Sequence, residues 1–154
     1  DSDFLLAPDT LGAAGFEHYE VSNYALPGAR ARHNSSYWTR VPYAAVGPAA
    51  HRFDGGMRSW NVGPYAAWLR RLRLGIDPTE EREVLTPADV DAERAYVGLR
   101  TTDGLVLTDE LDANTTRWRE AGWAKIVEGR LQLTPLGWLR LDALAVDLTH
   151  AGSR

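Results

Sequence analysis

From Phe16 to Asn23 the chain reads as a strand whose two faces are both polar. Alternation places Phe16, His18, Glu20 and Ser22 on one side and Glu17, Tyr19, Val21 and Asn23 on the other. A strand in an ordinary sandwich has one dry face. Polar groups on both faces suit a strand whose end lines a ligand cavity, as strands do at the C-terminal ends of α/β barrels. The residues before it, up to Ala14, read as the end of a helix stopped by Gly15 in the left-handed conformation.

Beyond a short turn at Leu26-Pro27-Gly28, residues 30–38 read Arg-Ala-Arg-His-Asn-Ser-Ser-Tyr-Trp. The spacing predicts a short helix that stacks His33 with Tyr37 and Asn34 with Trp38, each pair four residues apart. A titrating ring, an amide, two large aromatics and flanking arginines together suit a flat, anionic ligand. Tyr43 to Gly47 reads as a second short strand. It leads into Gly47-Pro48-Ala49-Ala50-His51, a small-residue loop that lets a ligand approach the backbone closely. Phe53 to Asn61 predicts a hairpin turning at Gly55-Gly56, and Pro64 to Leu74 an amphipathic helix stopped by Gly75.

Residues 76–85 are polar and turn-rich and read as a linker between a first domain, 1–75, and a second, 86–150. In the second, Thr86 is an N-cap with Pro87 in the first turn of a helix running to about Arg100. A further helix is predicted from Thr108 to Ala121. A hairpin then turns at Glu128-Gly129-Arg130, and Thr134-Pro135 caps a last helix ending near Leu148. Helix, helix, hairpin, helix is a winged-helix-like order.

Composition narrows the possible functions. The 154 residues are 44% hydrophobic and 25% charged, with a net charge of −4, values of a chain that buries a core. No apolar run is long enough to span a bilayer and there is no signal peptide, so a cytoplasmic location is expected. There is no cysteine, which excludes disulfides, thiolate zinc and a cysteine-held iron–sulfur cluster in this chain. The chain starts at Asp1 and runs straight into apolar periodicity, and it is read as a C-terminal fragment of a larger fold.

Charge is unevenly spread. From Arg30 to Arg73 there are eight arginines against one acid, Asp54, a net of +7, whereas from Thr86 onward the net is −3. An anionic ligand should meet the first region. The helix from Thr108 to Ala121 carries Asp109, Glu110, Asp112 and Glu120 against Arg117 and Arg119. A helix entering a phosphate-lined groove should be basic, so a nucleic-acid-binding winged helix is disfavoured and no nucleic-acid partner is expected. The second domain reads instead as a packing or docking module. The aromatic and arginine mix of 30–73 would suit single-stranded nucleic acid as well as a planar anion, and composition does not separate the two.

Glu20-Val21-Ser22-Asn23-Tyr24-Ala25, His33-Asn34, Tyr37-Trp38, the Val46-Gly47-Pro48-Ala49-Ala50-His51 loop and Leu133-Thr134-Pro135-Leu136-Gly137 together resemble the C-terminal part of the radical-SAM coproporphyrinogen-oxidase-like family. Within it they resemble the HemW-type heme chaperones most. Coproporphyrinogen dehydrogenases tend to have Asp-His where this chain has Ser22-Asn23, and they lack the Tyr-Trp pair. The resemblance implies the C-terminal edge of a partial radical-SAM α/β barrel followed by the small winged-helix-like domain. It implies a parent protein that uses S-adenosylmethionine and a 4Fe-4S cluster, the cluster not held by this cysteine-free chain.

The function so implied is heme binding and transfer to an acceptor protein. The alternative is oxygen-independent coproporphyrinogen III dehydrogenation in porphyrin biosynthesis. No catalytic residue is assigned to this chain. His33 is the candidate iron ligand, with Asn34, Tyr37 and Trp38 beside the macrocycle and Arg30 and Arg32 near its propionates. The competing reading is that His33 and Asn34 satisfy backbone groups at a helix end and that the arginines, Arg40 included, are solvated surface groups. Gly47, Ala50 and His51 are the candidate contacts for S-adenosylmethionine, or else a tight turn of small residues. Glu20 either hydrogen-bonds a ligand or forms an ion pair with a neighbouring arginine. A membrane would be met only peripherally, through an acceptor.

Overall fold

The computed structural model describes residues 2–151. In chain order the elements are α1 (Ser2–Ala13), β1 (Glu17–Glu20), β2 (Asn23–Ala25), α2 (Arg32–Trp38), β3 (His51–Phe53), β4 (Met57–Asn61), α3 (Tyr65–Arg73), β5 (Thr79–Val84), α4 (Pro87–Arg100), β6 (Leu105–Val106), α5 (Asp109–Glu120), β7 (Ala124–Val127), β8 (Arg130–Leu133), α6 (Pro135–Trp138) and α7 (Leu141–Ala151). They divide into two compact units, one formed by the residues up to Trp38 and from Asp91 onward, the other by Thr39–Val90.

The first unit holds the larger core. Leu99 of α4, Trp118 of α5, Ala124 of β7, Leu131 and Leu133 of β8, Trp138 of α6 and Leu141, Leu144 and Ala145 of α7 are buried together. Burial of a leucine such as Leu131, fully shielded here, contributes about 1.5–3 kcal/mol. The helices begin and end where local chemistry dictates. Thr108 accepts from the Leu111 amide at 3.1 Å and so caps α5, and Gly122 beyond its end takes φ +74°. β7 and β8 pair in register from Ala124–Leu133 to Val127–Arg130 around a turn in which Glu128 and Gly129 both have positive φ. The predicted helix, helix, hairpin, helix order is present, with β6 added as a third strand in the order β6-β8-β7.

The last predicted helix is broken. α6 ends at Trp138, the Arg140 amide bonds back to the Gly137 carbonyl, and α7 restarts at Leu141. Gly137 lies so close to the Trp123 carbonyl that a Cβ would sit 1.9 Å from its oxygen, so this turn is pinned against the residue that leads into β7.

The single strand expected over 16–23 is a hairpin instead. β1 turns at Val21-Ser22 into β2, with Glu17 opposite Ala25 and Glu20 opposite Asn23. The cause is Glu20, whose carboxylate accepts from the Ser22 amide at 2.6 Å and the Asn23 side chain at 2.9 Å, closing the turn from within.

The second unit is a meander in the order β3-β4-β5 plus α3. Its hairpin turns where predicted, with Asp54 accepting from the amides of Gly56 and Met57. Two expectations fail here. The second short strand, Tyr43–Gly47, is reduced to a bridge between Tyr43 and Phe53, since Gly47 turns away at φ +105° and Pro48 has no amide to donate. The stretch 76–85, expected as a linker, carries β5, paired with β4 from Met57–Val84 to Asn61–Thr79. Its polar side chains mislead because they face solvent while the backbone makes the ladder. All strand pairs among the described residues are antiparallel, and no sheet closes into a barrel.

Candidate functional site

The motif at 30–38 lies in the first unit. α2 has seven residues and none of them is buried. A helix this short is marginal in water, so its order depends on what holds its ends. At its start the Ala31 amide donates to the Tyr19 hydroxyl at 3.3 Å, and the Arg30 guanidinium lies 5.3 Å over the Tyr19 ring. At its end the Trp38 ring is covered by the guanidinium of Arg100, at 4.7 Å.

The predicted i, i+4 pairing of His33 with Tyr37 is present. The Tyr37 hydroxyl and His33 Nε2 are 2.9 Å apart, and the rings meet edge to face with centroids 5.0 Å apart. The His33 ring is exposed, a position from which an imidazole can reach a ligand. Arg32 is exposed too. Arg30 is already engaged, with Glu17 at 3.4 Å and Asp103 at 3.6 Å. Asn34 is half-buried on the same helix.

Behind α2 lies a network that the motif does not announce. Glu20 is fully buried and pairs with Arg100 Nε at 3.0 Å. The Arg100 carbonyl accepts from the Val21 amide at 3.0 Å, and the Tyr19 carbonyl accepts from the Thr102 amide at 3.0 Å. Of the two readings open for Glu20, the ion pair is the one found. Its arginine is 80 residues away in sequence, so nothing local pointed to it. His18, beside Glu20, stacks on Tyr24 at 4.1 Å and meets Trp138 edge to face at 4.4 Å. Burial holds its pKa below the ordinary value of 6.5, against the opposing pull of the Val21 carbonyl and Glu20. An open cleft of ≈ 450 Å³ is bordered by Val21, Ser22, Tyr96, Arg100 and Trp138 and by the residues from Leu139 to Ala143.

The small-residue loop belongs to the second unit. Gly47 has φ +105° and Ala49 φ +55°, a conformation costly for a residue with a Cβ. The loop is held by Asn61, which donates through its side chain to the Gly47 carbonyl at 2.8 Å and through its amide to the Ala50 carbonyl at 3.0 Å. The Ala49 amide donates to Val62 at 3.1 Å. His51 opens β3 opposite Trp60, its exposed ring 5.5 Å from the indole. Gly47 faces open space where its side chain would be. A ligand can therefore approach Gly47 and the His51 ring, while the carbonyls of Gly47 and Ala50 already accept hydrogen bonds.

No family model matches the chain. Individual proteins do. It is 35% identical over 148 residues to the heme chaperone HemW of Bacillus subtilis, covering 92% of this chain and 36% of that protein. It is 35% identical over 152 residues to the heme chaperone HemW of Mycobacterium tuberculosis (strain H37Rv), covering 94% of this chain and 38% of that one. The chain is a homologue of the HemW group.

The radical S-adenosyl methionine domain-containing protein 1, mitochondrial, of Bos taurus is 33% identical over 142 residues, 86% of this chain and 31% of its own length. Among solved structures, the radical-SAM coproporphyrinogen III oxidase HemN of Escherichia coli matches 94% of this chain and 39% of its own at a TM-score of 0.63. With 13% identity that likeness shows the fold alone, and the fold is a mixed α/β architecture like that of HemN, with no closed barrel among the described residues. The chain spans well under half the length of the HemW relatives it matches. No helix among the described residues is long and apolar enough to cross a membrane.

Proposed function

We propose that this chain is part of a heme chaperone, a cytoplasmic protein that binds heme and passes it to an acceptor, and that α2 carries the heme-binding side chains. The similarity over 92–94% of the chain to proteins named heme chaperone HemW supports this reading most directly. The exposed His33 ring supplies an imidazole nitrogen to iron. Tyr37, hydrogen-bonded to that ring, fixes its orientation, and Tyr37 and Trp38 offer aromatic surface to the macrocycle. Arg32 meets a propionate, and Arg30 does so by exchanging an exposed partner, Glu17 or Asp103. Asn34 adds an amide beside them. The 86–150 segment, with its acidic α5, serves as a docking module for the acceptor.

In the longer protein the Gly47, Ala50 and His51 loop is assigned to contact with S-adenosylmethionine, a cofactor that supplies a 5′-deoxyadenosyl group when a reduced cluster cleaves it. The open space at Gly47 fits close approach of such a ligand. The chain has no cysteine for a 4Fe-4S cluster, so the cluster of the longer protein would be held by residues outside this chain. Coproporphyrinogen dehydrogenation has only the fold of HemN in its favour.

Hemin titrated into the chain and into His33→Ala, followed at the Soret band, tests the proposal. Saturable binding that weakens about tenfold or more in the variant is expected, since loss of an axial ligand removes more than about 1.4 kcal/mol. Equal, weak binding in both proteins would remove His33 from the site.

A further inference from the structure

α2 carries most of the side chains that the proposed site uses, His33 and Arg32 exposed and Asn34, Tyr37 and Trp38 half-buried, yet it has no fully buried residue of its own to hold it in place. Near its C-terminal end one contact reaches far along the chain. The Arg100 guanidinium lies 4.7 Å from the centre of the Trp38 ring, and the same guanidinium is bound through Nε to Glu20, which is wholly shielded from solvent. Glu20 is itself fixed by the Ser22 amide and the Asn23 side chain. The Arg100 backbone is tied to the same hairpin through the Val21 amide. Trp38 therefore sits on a planar cation whose position is set by a buried carboxylate and by two elements, the β1–β2 hairpin and the end of α4.

We infer that Arg100 is a positioning residue for α2: held by Glu20, its guanidinium plane fixes Trp38 and through it the set of the His33, Asn34 and Tyr37 side chains. The physical requirement is for a plane as well as a charge. A guanidinium can donate to a carboxylate along its edge while its face stacks on an indole, and an ammonium cannot do both in this geometry. Lysine at this position keeps the charge opposite Glu20 and loses the stack, so it separates positioning from simple charge balance. The effect on heme rests on the function proposed above, but the tie between Arg100 and α2 does not.

The test compares wild type, Arg100→Lys, Trp38→Ala and the double variant, each checked for cooperative unfolding. Amide hydrogen exchange over residues 33–38 and hemin titration at the Soret band are then measured. Arg100→Lys is expected to speed exchange over 33–38 about tenfold and weaken hemin binding about fivefold to tenfold. Trp38→Ala is expected to match it in exchange and to weaken hemin binding at least as much, since it also removes the ring offered to the macrocycle. The double variant should add little to the exchange of either, because both changes cut the same contact. Unchanged exchange over 33–38 in Arg100→Lys, or fully additive effects on exchange in the double variant, would overturn the inference. If Arg100→Lys fails to fold, Trp38→Phe replaces it. Phe keeps a ring for the guanidinium to cover, so exchange must stay within about twofold of wild type, and a rise as large as that of Trp38→Ala would refute the tie. Absence of saturable, His33-dependent hemin binding in wild type would defeat the heme-chaperone reading alone, and the exchange data would still decide the role of Arg100.

Discussion

The two units are held in different ways. The first encloses a connected set of large apolar side chains, among them Leu99, Trp118, Leu131, Trp138 and Leu144, all at least 95% shielded. The second buries Phe53, Val62 and Leu85, each at the edge of full burial, beside Ser59 and Asn61, which are polar. Where the first relies on packing, the second relies on hydrogen bonds between side chain and backbone. Asn61 holds the Gly47 loop, Arg52 donates to Ser59 at 2.9 Å and to Thr79 at 3.3 Å, and Arg71 donates to the Thr79 carbonyl at 2.9 Å. The candidate heme-binding helix belongs to the packed unit and the small-residue loop to the hydrogen-bonded one. The buried Glu20–Arg100 pair behind α2 suits a site that must keep its shape. A loop held by replaceable polar bonds suits one that adjusts to a ligand.

The largest effect that this contrast predicts is in the packed unit. Leu131→Ala removes a fully buried side chain from the middle of β8 and is expected to destabilise by about 3 kcal/mol, read from the urea midpoint at fixed m-value. Asn61→Ala should cost less, about 1–2 kcal/mol, because it leaves the Gly47 carbonyl without its buried donor but opens little apolar volume. The loss should appear as faster amide exchange in residues 47–51. Equal costs for the two variants would break the contrast.

Acid should separate the units by window. His18 has a folded pKa below 6.5, so in the range beneath 6.5 the unfolded chain binds more protons, and the first unit loses stability as the pH falls from 6.5 toward the folded value. Three aspartates of the second unit have folded pKa values below the ordinary 3.8. The Gly56 and Met57 amides lower Asp54, and the hydroxyls and amides of Thr79 and Thr86 lower Asp77 and Asp89. Their contribution is present above 3.8 and is lost only as the pH falls through those lower values. The midpoint of unfolding should therefore decline between pH 7 and 5 in wild type and less so in His18→Phe. An identical decline in both would remove His18 as the source.

Many of the local elements were legible in the sequence, but the division into two units was not. A boundary was expected at 76–85, and the units are instead the residues up to Trp38 with those from Asp91 onward, and Thr39–Val90. The exceptions share a cause. Caps and stops such as Gly15, Gly75, Thr108 and Gly122 act within a few residues, and the elements they bound lie where the spacing puts them. The exposed His33–Tyr37 pair was legible for the same reason. What escaped depends on partners far along the chain. β5 reads as a linker until β4 is known to lie beside it, since a strand exposed along most of its length has no apolar signal. The Glu20–Arg100 pair spans 80 residues, and Trp38 was assigned to the ligand alone because its cation comes from α4. The split between α6 and α7 follows from the closeness of Gly137 to the Trp123 carbonyl, a contact that a pattern of apolar residues does not contain.

The smallest expected effect, that of Trp118→Phe, gives the sharpest test of how the packed unit is held when it is set against Trp138→Phe. Trp138 and Trp118 are both nearly fully buried in one core, but Trp138 donates its indole N–H to the Leu99 carbonyl at 2.9 Å, whereas Trp118 Nε1 has no acceptor among the described residues. Replacing either by phenylalanine removes similar apolar area and leaves a similar void. The difference lies in the polar atom. Trp138→Phe strands the Leu99 carbonyl, whereas Trp118→Phe relieves a buried donor whose desolvation costs about 1–3 kcal/mol. Trp118→Phe is therefore expected to change stability by less than about 1 kcal/mol, with Trp138→Phe about 2 kcal/mol worse in the same urea titration. Equal losses would mean that volume alone governs this core, and that its one long-range indole hydrogen bond contributes nothing.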